Sequence, residues 1–304
     1  MALHVVLTRL AIMRRSGAPF QRFRPAMRMR GCRVGLLIAV VALIALAPAS
    51  SGFGQRRALP ANSCRLEAVG AGKVSAIVDG RSFLLDDGRE VRLPGIEVPL
   101  PPLAGETDPH AMAGNAARET LAIMLVGEEV ELRAVARASD RYSRILAHAY
   151  YTHQGSQKSA AHELLVKGFA RVSSEAGECA AELLASERPA RESKLGLWAE
   201  PYYGIVGAER FTELLAERGH FTVVEGKVLS VRESGGTIYM NFGRRWSEAL
   251  TVTISKRNER TFAAAGLDPK RLENRRVRVR GWIEERNGPR IEALRPEQIE
   301  IAER

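Results

Sequence analysis

The sequence predicts a β-rich α+β protein built from two small β-barrels in series, the first with helices packed against it. Three observations predict this. Short apolar stretches of period two recur through residues 73–172, and that alternation sends every second side chain into a core. Helical spacing enters after the third and after the fifth of these strands. The pattern of strands then restarts over residues 220–304.

The elements follow in order. Lys73 to Val78 and Ser82 to Leu85 read as strands separated by the turn Asp79-Gly80-Arg81. Asp87-Gly88 is a hairpin signal, because these residues tolerate the positive φ that a tight turn needs. Glu90 to Ile96 returns as a third strand, and Pro99 to Pro109 is a proline-rich loop. Ala111 to Val126 has helical spacing, with Ala117, Leu121, Met124 and Leu125 on one face. Glu128 to Ala136 and Arg144 to Thr152 alternate as strands on either side of a turn at Asp140, and Gln154-Gly155 marks the next hairpin. Ser159 to Lys167 reads as a helix stopped by Gly168, Phe169 to Val172 as a short strand, and Cys179 to Lys194 as a final amphipathic helix. Five strands with helices after the third and fifth fit an OB-type barrel.

A helical connector is expected at Ala208 to Arg218. Strands are then expected at Phe221 to Val231, Thr237 to Phe242, Ala249 to Ile254, Val277 to Glu285 and Arg290 to Leu294, with a helix at Glu259 to Ala265. This order is again OB-like. The chain thus divides into a leader (1–49), a flexible tether (50–64), a first barrel domain (65–200), a helical connector (201–219) and a second OB-like barrel (220–304).

The formal charge of +10 overstates the basic character of the folded part. Residues 1–49 carry eight arginines and no acid, whereas residues 50–220 are slightly acidic. Only residues 221–304, with 17 basic and 12 acidic side chains, have the balance that attracts polyanions. Val34 to Ala47 is an apolar run preceded by Arg28, Arg30 and Arg33 and followed by Ala47-Pro48-Ala49. This is the pattern of an export signal, which places the protein in the periplasm or outside the cell. The long basic stretch before it suggests a start at Met27 or Met29. An uncleaved anchor is the alternative, although the run is short for a stable membrane span.

Cys64 and Cys179 remain beyond the leader. In an oxidising compartment an even pair suggests a disulfide, and two buried thiols are the other reading. No Cys/His spacing supports zinc. His110, His148, His153 and His162 show no ligand spacing to one another. No residue pattern specifies an oligomeric state.

Several motifs occur in series: Val78-Asp79-Gly80; Arg92-Leu93 with Ile96-Glu97-Val98-Pro99; Asp140-Arg141-Tyr142-Ser143-Arg144-Ile145-Leu146-Ala147; Glu163-Leu164-Leu165-Val166 leading to Gly168-Phe169-Ala170-Arg171-Val172; and Lys194-Leu195-Gly196-Leu197-Trp198. In order and spacing, residues from about 73 to 198 resemble the staphylococcal nuclease (thermonuclease) family. The resemblance implies a calcium-dependent phosphodiesterase on a nuclease-like OB barrel. In such a site carboxylate oxygens hold a hard cation, a glutamate activates water, and two arginines stabilise charge at phosphorus. It assigns the arginine roles to Arg92 and Arg144 and a terminal-phosphate contact to Tyr142. Arg141 stands where a lysine is common.

The departures lie on the metal and water side. Arg81 replaces an aspartate ligand, and Glu97 replaces a second aspartate, leaving Glu97 and Asp79 as a weak metal pair. Leu100 replaces the general base, and Glu106 or Asp108 could substitute if the loop folds back. Three functions therefore compete: a nuclease with a remodelled Ca2+ site, a non-catalytic module for nucleic acid or another phosphate polymer, and an envelope protein-interaction barrel.

Two motifs in the second half carry open readings. Tyr239, Phe242 and Trp246 lie near Arg244 and Arg245, which suits either a barrel core or a single-strand platform. Arg275-Arg276-Val277-Arg278-Val279-Arg280 alternates as a solvated strand face or a basic stripe for phosphates.

Overall fold

Thirteen residues, Glu67–Asp79, form the longest strand, β1, and the first sheet is built outward from it. The structure, a computed structural model, describes residues 64–101, 109–136, 138–245 and 247–302. The leader and most of the tether, residues 1–63, lie outside the described residues, as do Glu106, Asp108 and Trp246.

The first half runs β1, β2 (Ser82–Leu85), β3 (Glu90–Arg92), β4 (Ile96–Glu97), α1 (Pro109–Leu125), β5 (Glu129–Ala134), β6 (Ile145–Leu146), β7 (His148–His153), β8 (Ser156–Ser159), α2 (Ala160–Val166), β9 (Arg171–Val172) and α3 (Ala180–Glu192). Seven strands form one sheet in the order β6-β3-β2-β1-β5-β7-β8, while β4 and β9 form a separate two-stranded ladder. Its core gathers Phe83, Leu85, Leu121, Leu132, Leu164 and Leu165, all fully buried. Gly80 lets this core close. A Cβ there would lie 2.5 Å from the Val98 side chain and 2.8 Å from that of Ala117 on α1.

The second half runs β10 (Ile205–Gly207), α4 (Phe211–Ala216), β11 (Phe221–Lys227), β12 (Ser230–Ser234), β13 (Thr237–Asn241), β14 (Thr251–Ser255), α5 (Glu259–Ala264), β15 (Arg276–Trp282), β16 (Glu284–Glu285), β17 (Pro289–Glu292) and β18 (Ile299–Ile301). These strands form two sheets, β10-β11-β15-β18 and β12-β13-β14-β17-β16, over a shared apolar core that includes Ile238, Val252, Phe262 and Ile291. The expected helical connector is corrected here. Ile205–Gly207 is a strand parallel to β11, and only Phe211–Ala216 is helical. The segment is thus part of the second half's sheet, where Val206 and Leu214 bury their side chains.

Cys64 and Cys179, 115 residues apart in sequence, are joined by a disulfide with their Cα atoms 4.5 Å apart. It pins the approach to β1 against the start of α3. Closing a loop of that length removes roughly 4–5 kcal/mol of unfolded-chain freedom in the chain-entropy account.

The arginine run of β15 is only in part a solvated face: Arg276 is exposed, Arg278 half-buried and Arg280 buried, and all three are ion-paired. Arg276 and Arg278 both bond Glu225, at 2.7 and 2.6 Å. Arg280 is buried and enters the first half, donating to both oxygens of the buried Glu187 on α3 at 3.0 and 3.1 Å and to the Val172 carbonyl at 3.0 Å. Burial pulls the Arg280 pKa down, but Glu187 and Glu300 outweigh it and hold the guanidinium above its ordinary value. Glu187 also accepts from the Val172 N–H at 2.6 Å and from Arg191 at 2.8 Å. Beside it, buried Arg171 donates to the Phe221 carbonyl at 2.8 Å. Strand β9 is therefore gripped by side chains and backbone of the second half.

A buried ion pair is costly to break from one side. Arg280→Met alone is expected to cost about 3–5 kcal/mol. Combined with Glu187→Leu, the loss should fall short of the sum of the two single losses by at least about 1 kcal/mol. Urea unfolding of the three variants measures this, and additive losses would contradict it.

Candidate phosphate site

The site begins with a turn. The Asp79 carboxylate accepts the Arg81 backbone N–H at 2.8 Å, so the chain reverses tightly between β1 and β2. This reversal directs the Arg81 side chain toward β4. There its Nη1 donates to Glu97 Oε2 at 2.7 Å and to the Ile96 carbonyl at 2.6 Å, and its Nη2 donates to Glu97 Oε1 at 2.7 Å. Both side chains are mostly shielded, at 14% and 15% exposure. This is a bidentate guanidinium–carboxylate pair, the strong form of charge-assisted hydrogen bond.

Arg92 ends β3 directly opposite Ser82. Its Nη1 lies 3.4 Å from Ser82 Oγ and 3.8 Å from Asp79 Oδ2. Burial lowers the Arg92 pKa first, and the neighbouring charges of Arg81 and Arg144 lower it further, against Asp79 and Glu97. Arg92 thus feels the positive charges of Arg81 and Arg144, and an anion beside it would relieve that repulsion.

Parallel pairing of β3 with β6 puts Arg92 across from Leu146 and brings Arg144 alongside. The turn before β6 is tied by Asp140, whose Oδ1 accepts from the Tyr142 and Arg144 N–H groups at 2.9 and 3.1 Å. Asp140 Oδ2 accepts from Arg144 Nε at 2.7 Å, and Glu90 lies 3.8 Å from Nη1. The bond from Asp140 raises the Arg144 pKa, so the guanidinium is charged and fixed. The exposed Tyr142 ring lies 4.8 Å from the Arg141 guanidinium and 5.1 Å from that of Arg144.

The structure thus brings Asp79, Arg81, Arg92, Glu97 and Arg144 into one neighbourhood, with Arg141 and Tyr142 at its rim. Asp79 and Glu97 do not form a cation site. A calcium ion takes six to eight oxygen ligands, and both Glu97 oxygens are already held by Arg81. Among the described residues no group of three or more His, Cys, Asp or Glu side chains could hold a metal. The donor set among the described residues does not fit calcium. Leu100, where the resemblance expects a base, is 71% exposed and has no proton acceptor on its side chain.

Sequence reasoning flagged Arg81 as a departure but missed that it closes on Glu97. It also missed the place of Arg171. Arg171 faces Glu97 across the β4–β9 ladder. Its pKa is lowered first by burial and supported by the Glu97 charge. No local motif signals such cross-strand pairs. A separate cavity of about 360 Å³ is lined by Cys64, His148, Tyr150, His162 and Cys179 among others, and none of the arginine-site residues borders it.

Residues 90–200 match the family described as staphylococcal nuclease homologue. The chain therefore carries a staphylococcal-nuclease-like domain. It is also similar to a protein of the fungus Leptosphaeria maculans described as "Probable endonuclease LCL3", at 28% identity over 117 residues. That match covers 36% of this chain and 38% of the relative, so the chain spans well under half of the relative's length. Asp79 and Arg81 lie before the span matched by the family.

If Arg81 excludes the cation, removing it should admit one. The thermal midpoint of the parent chain should be the same in roughly 10 mM calcium and in chelator. Arg81→Asp frees the Glu97 oxygens and adds a carboxylate, so its midpoint should rise with calcium. A calcium shift in the parent would contradict the assignment.

Proposed function

We propose that the nuclease-like domain binds the phosphodiester backbone of nucleic acid through Arg92 and Arg144, with Arg81 supplying in place the positive charge that a divalent cation would bring. One observation carries this reading: Arg81 holds both oxygens of Glu97 while Arg92 and Arg144 stand beside it. Arg92 at the end of β3 and Arg144 just before β6 each offer a planar guanidinium whose fork suits phosphate oxygens. Asp140 holds Arg144 in position before any ligand arrives, which reduces the ordering cost on binding. Arg141 and exposed Tyr142 extend the site along a strand of nucleic acid.

A second reading, phosphodiester cleavage, draws support from the printed name of the fungal relative. It also draws on Glu106 and Asp108 in the segment after Leu100. It requires a base from that segment and a cation site that the described carboxylates do not offer. The reading as an envelope protein-interaction barrel has no specific observation in its favour.

Two broader assignments belong to the same proposal. The paired sheets of residues 220–304 support a second OB-like barrel beside the nuclease-like one of residues 65–200. The arginine-flanked apolar run before Ala49 supports export.

Fluorescence anisotropy with single-stranded DNA and RNA tests the reading. Affinity should be equal in calcium and in chelator. Arg144→Ala should weaken it roughly 10- to 100-fold, as expected for a charge-assisted hydrogen bond. The salt dependence should become shallower by about one phosphate contact. Calcium-dependent cleavage lost in Arg144→Ala would replace binding by the second reading.

A further inference from the structure

The outer face of the five-stranded sheet is a second candidate surface, and it uses none of the arginine-site residues. Burial alternates along β13, where Ile238 and Met240 enter the core while Thr237, Tyr239 and Asn241 turn outward. The register extends this face across the sheet. Arg232, Tyr239, Thr253 and Glu292 form one transverse row, in which Thr253 is buried and Glu292 is exposed at the β17 side. Ser230, Asn241, Thr251 and Arg290 form the next. The second row is ordered internally, because Asn241 donates to Ser230 at 3.2 Å and accepts from Thr251 at 3.3 Å.

The chemistry of the face selects its ligand. It presents hydroxyls, an amide and one aromatic ring, with the Glu292 carboxylate and the Arg290–Glu284 ion pair confined to its β17–β16 side. Neither row has an aliphatic side chain, so the face lacks the apolar centre of a protein-docking patch. Arg232 is exposed and makes no ion pair among the described residues. Exposed Arg244 and Arg245 follow β13 at the end where the Asn241 row lies, Arg245 being paired with Glu248 at 3.0 Å. Residues 221–304 carry 17 basic against 12 acidic side chains. On the β12–β13 side, two strands away from Glu292, a ring directly across from exposed Arg232 complements a polyanion whose bases are free to stack. Duplex bases are already stacked and do not offer their faces.

We infer that the β12–β13 side of this sheet face binds single-stranded nucleic acid, with a base stacked on Tyr239 and the backbone drawn along Arg232 and Arg244. Phe242, which the sequence grouped with Tyr239, is buried in the core, so the aromatic cluster divides between core and surface.

The test uses the full chain and a fluorescein-labelled oligothymidylate of roughly 15 nucleotides. Tyr239→Ala should weaken binding roughly 5- to 150-fold, the range of losing one base–aromatic stack. Tyr239→Phe keeps the ring and should bind like the parent. Arg232→Gln, a surface change that does not touch the core, should weaken binding and flatten its salt dependence. Unchanged circular dichroism and thermal midpoint establish that each variant is folded. Absence of binding by the parent would overturn the inference, as would parental affinity in Tyr239→Ala and Arg232→Gln. Heparin competition undiminished by Tyr239→Ala, with oligothymidylate affinity also unchanged, would reduce the face to a general polyanion surface and overturn it too. The two sites separate cleanly. Loss in Tyr239→Ala with parental binding in Arg144→Ala would uphold the sheet face and reject the arginine site.

Discussion

A carboxylate can give its two oxygens to a divalent cation or to a guanidinium, and the tight turn at Asp79 decides which partner Glu97 receives. Because Asp79 caps the Arg81 N–H, the Arg81 side chain leaves the turn pointing at β4. Displacing it would break two charge-assisted hydrogen bonds to Glu97, each worth about 1.5–3 kcal/mol. It would also set a cation about 4 Å from a guanidinium, where unit charges repel by roughly 4 kcal/mol at an effective dielectric of 20. These quantities together exceed what a weak, partly exposed calcium site usually supplies. The remaining geometry follows from that pairing. Arg92 is left facing Asp79 at 3.8 Å, and Arg144 is held by Asp140.

The position of Glu97 depends in turn on a ladder of two residue pairs, Ile96 with Val172 and Glu97 with Arg171. So short a ladder has little stability of its own. It is held because both β9 residues are fixed from the other side. Val172 is bound through its N–H to Glu187 and through its carbonyl to Arg280. Arg171 lies 5.3 Å from the Tyr203 ring and 5.2 Å from that of Phe221. The buried ions Glu187 and Arg280 thus link the arginine site to the second half through backbone and strand pairing.

Features set by local chemistry were legible in the sequence. Asp79-Gly80 and Asp140 mark turns through side-chain bonds to residues two to four positions away, and α1, α2 and α3 follow their apolar spacing closely. The features set across the chain were not. The β10 and β18 segments are three residues each, too short for periodicity, and form only because β11 and β15 await them. The arginines of β15 looked solvated because their partners, Glu225, Glu187 and Glu300, lie elsewhere in the sequence. In the candidate site the residue types and their neighbourhood were legible. The closure of Arg81 on Glu97 was not, because a substitution shows which ligand is lost and not which partner the new side chain takes.

The most direct measurement is the response of the arginine Nε–H and Nη–H resonances to a dinucleotide, recorded by NMR with and without calcium. The account predicts that Arg92 and Arg144 shift on adding the dinucleotide, by the same amount in both conditions. The Arg81 Nη–H groups should keep protected, hydrogen-bonded signals throughout. A calcium-dependent change at Arg81, showing its release from Glu97, would contradict the account.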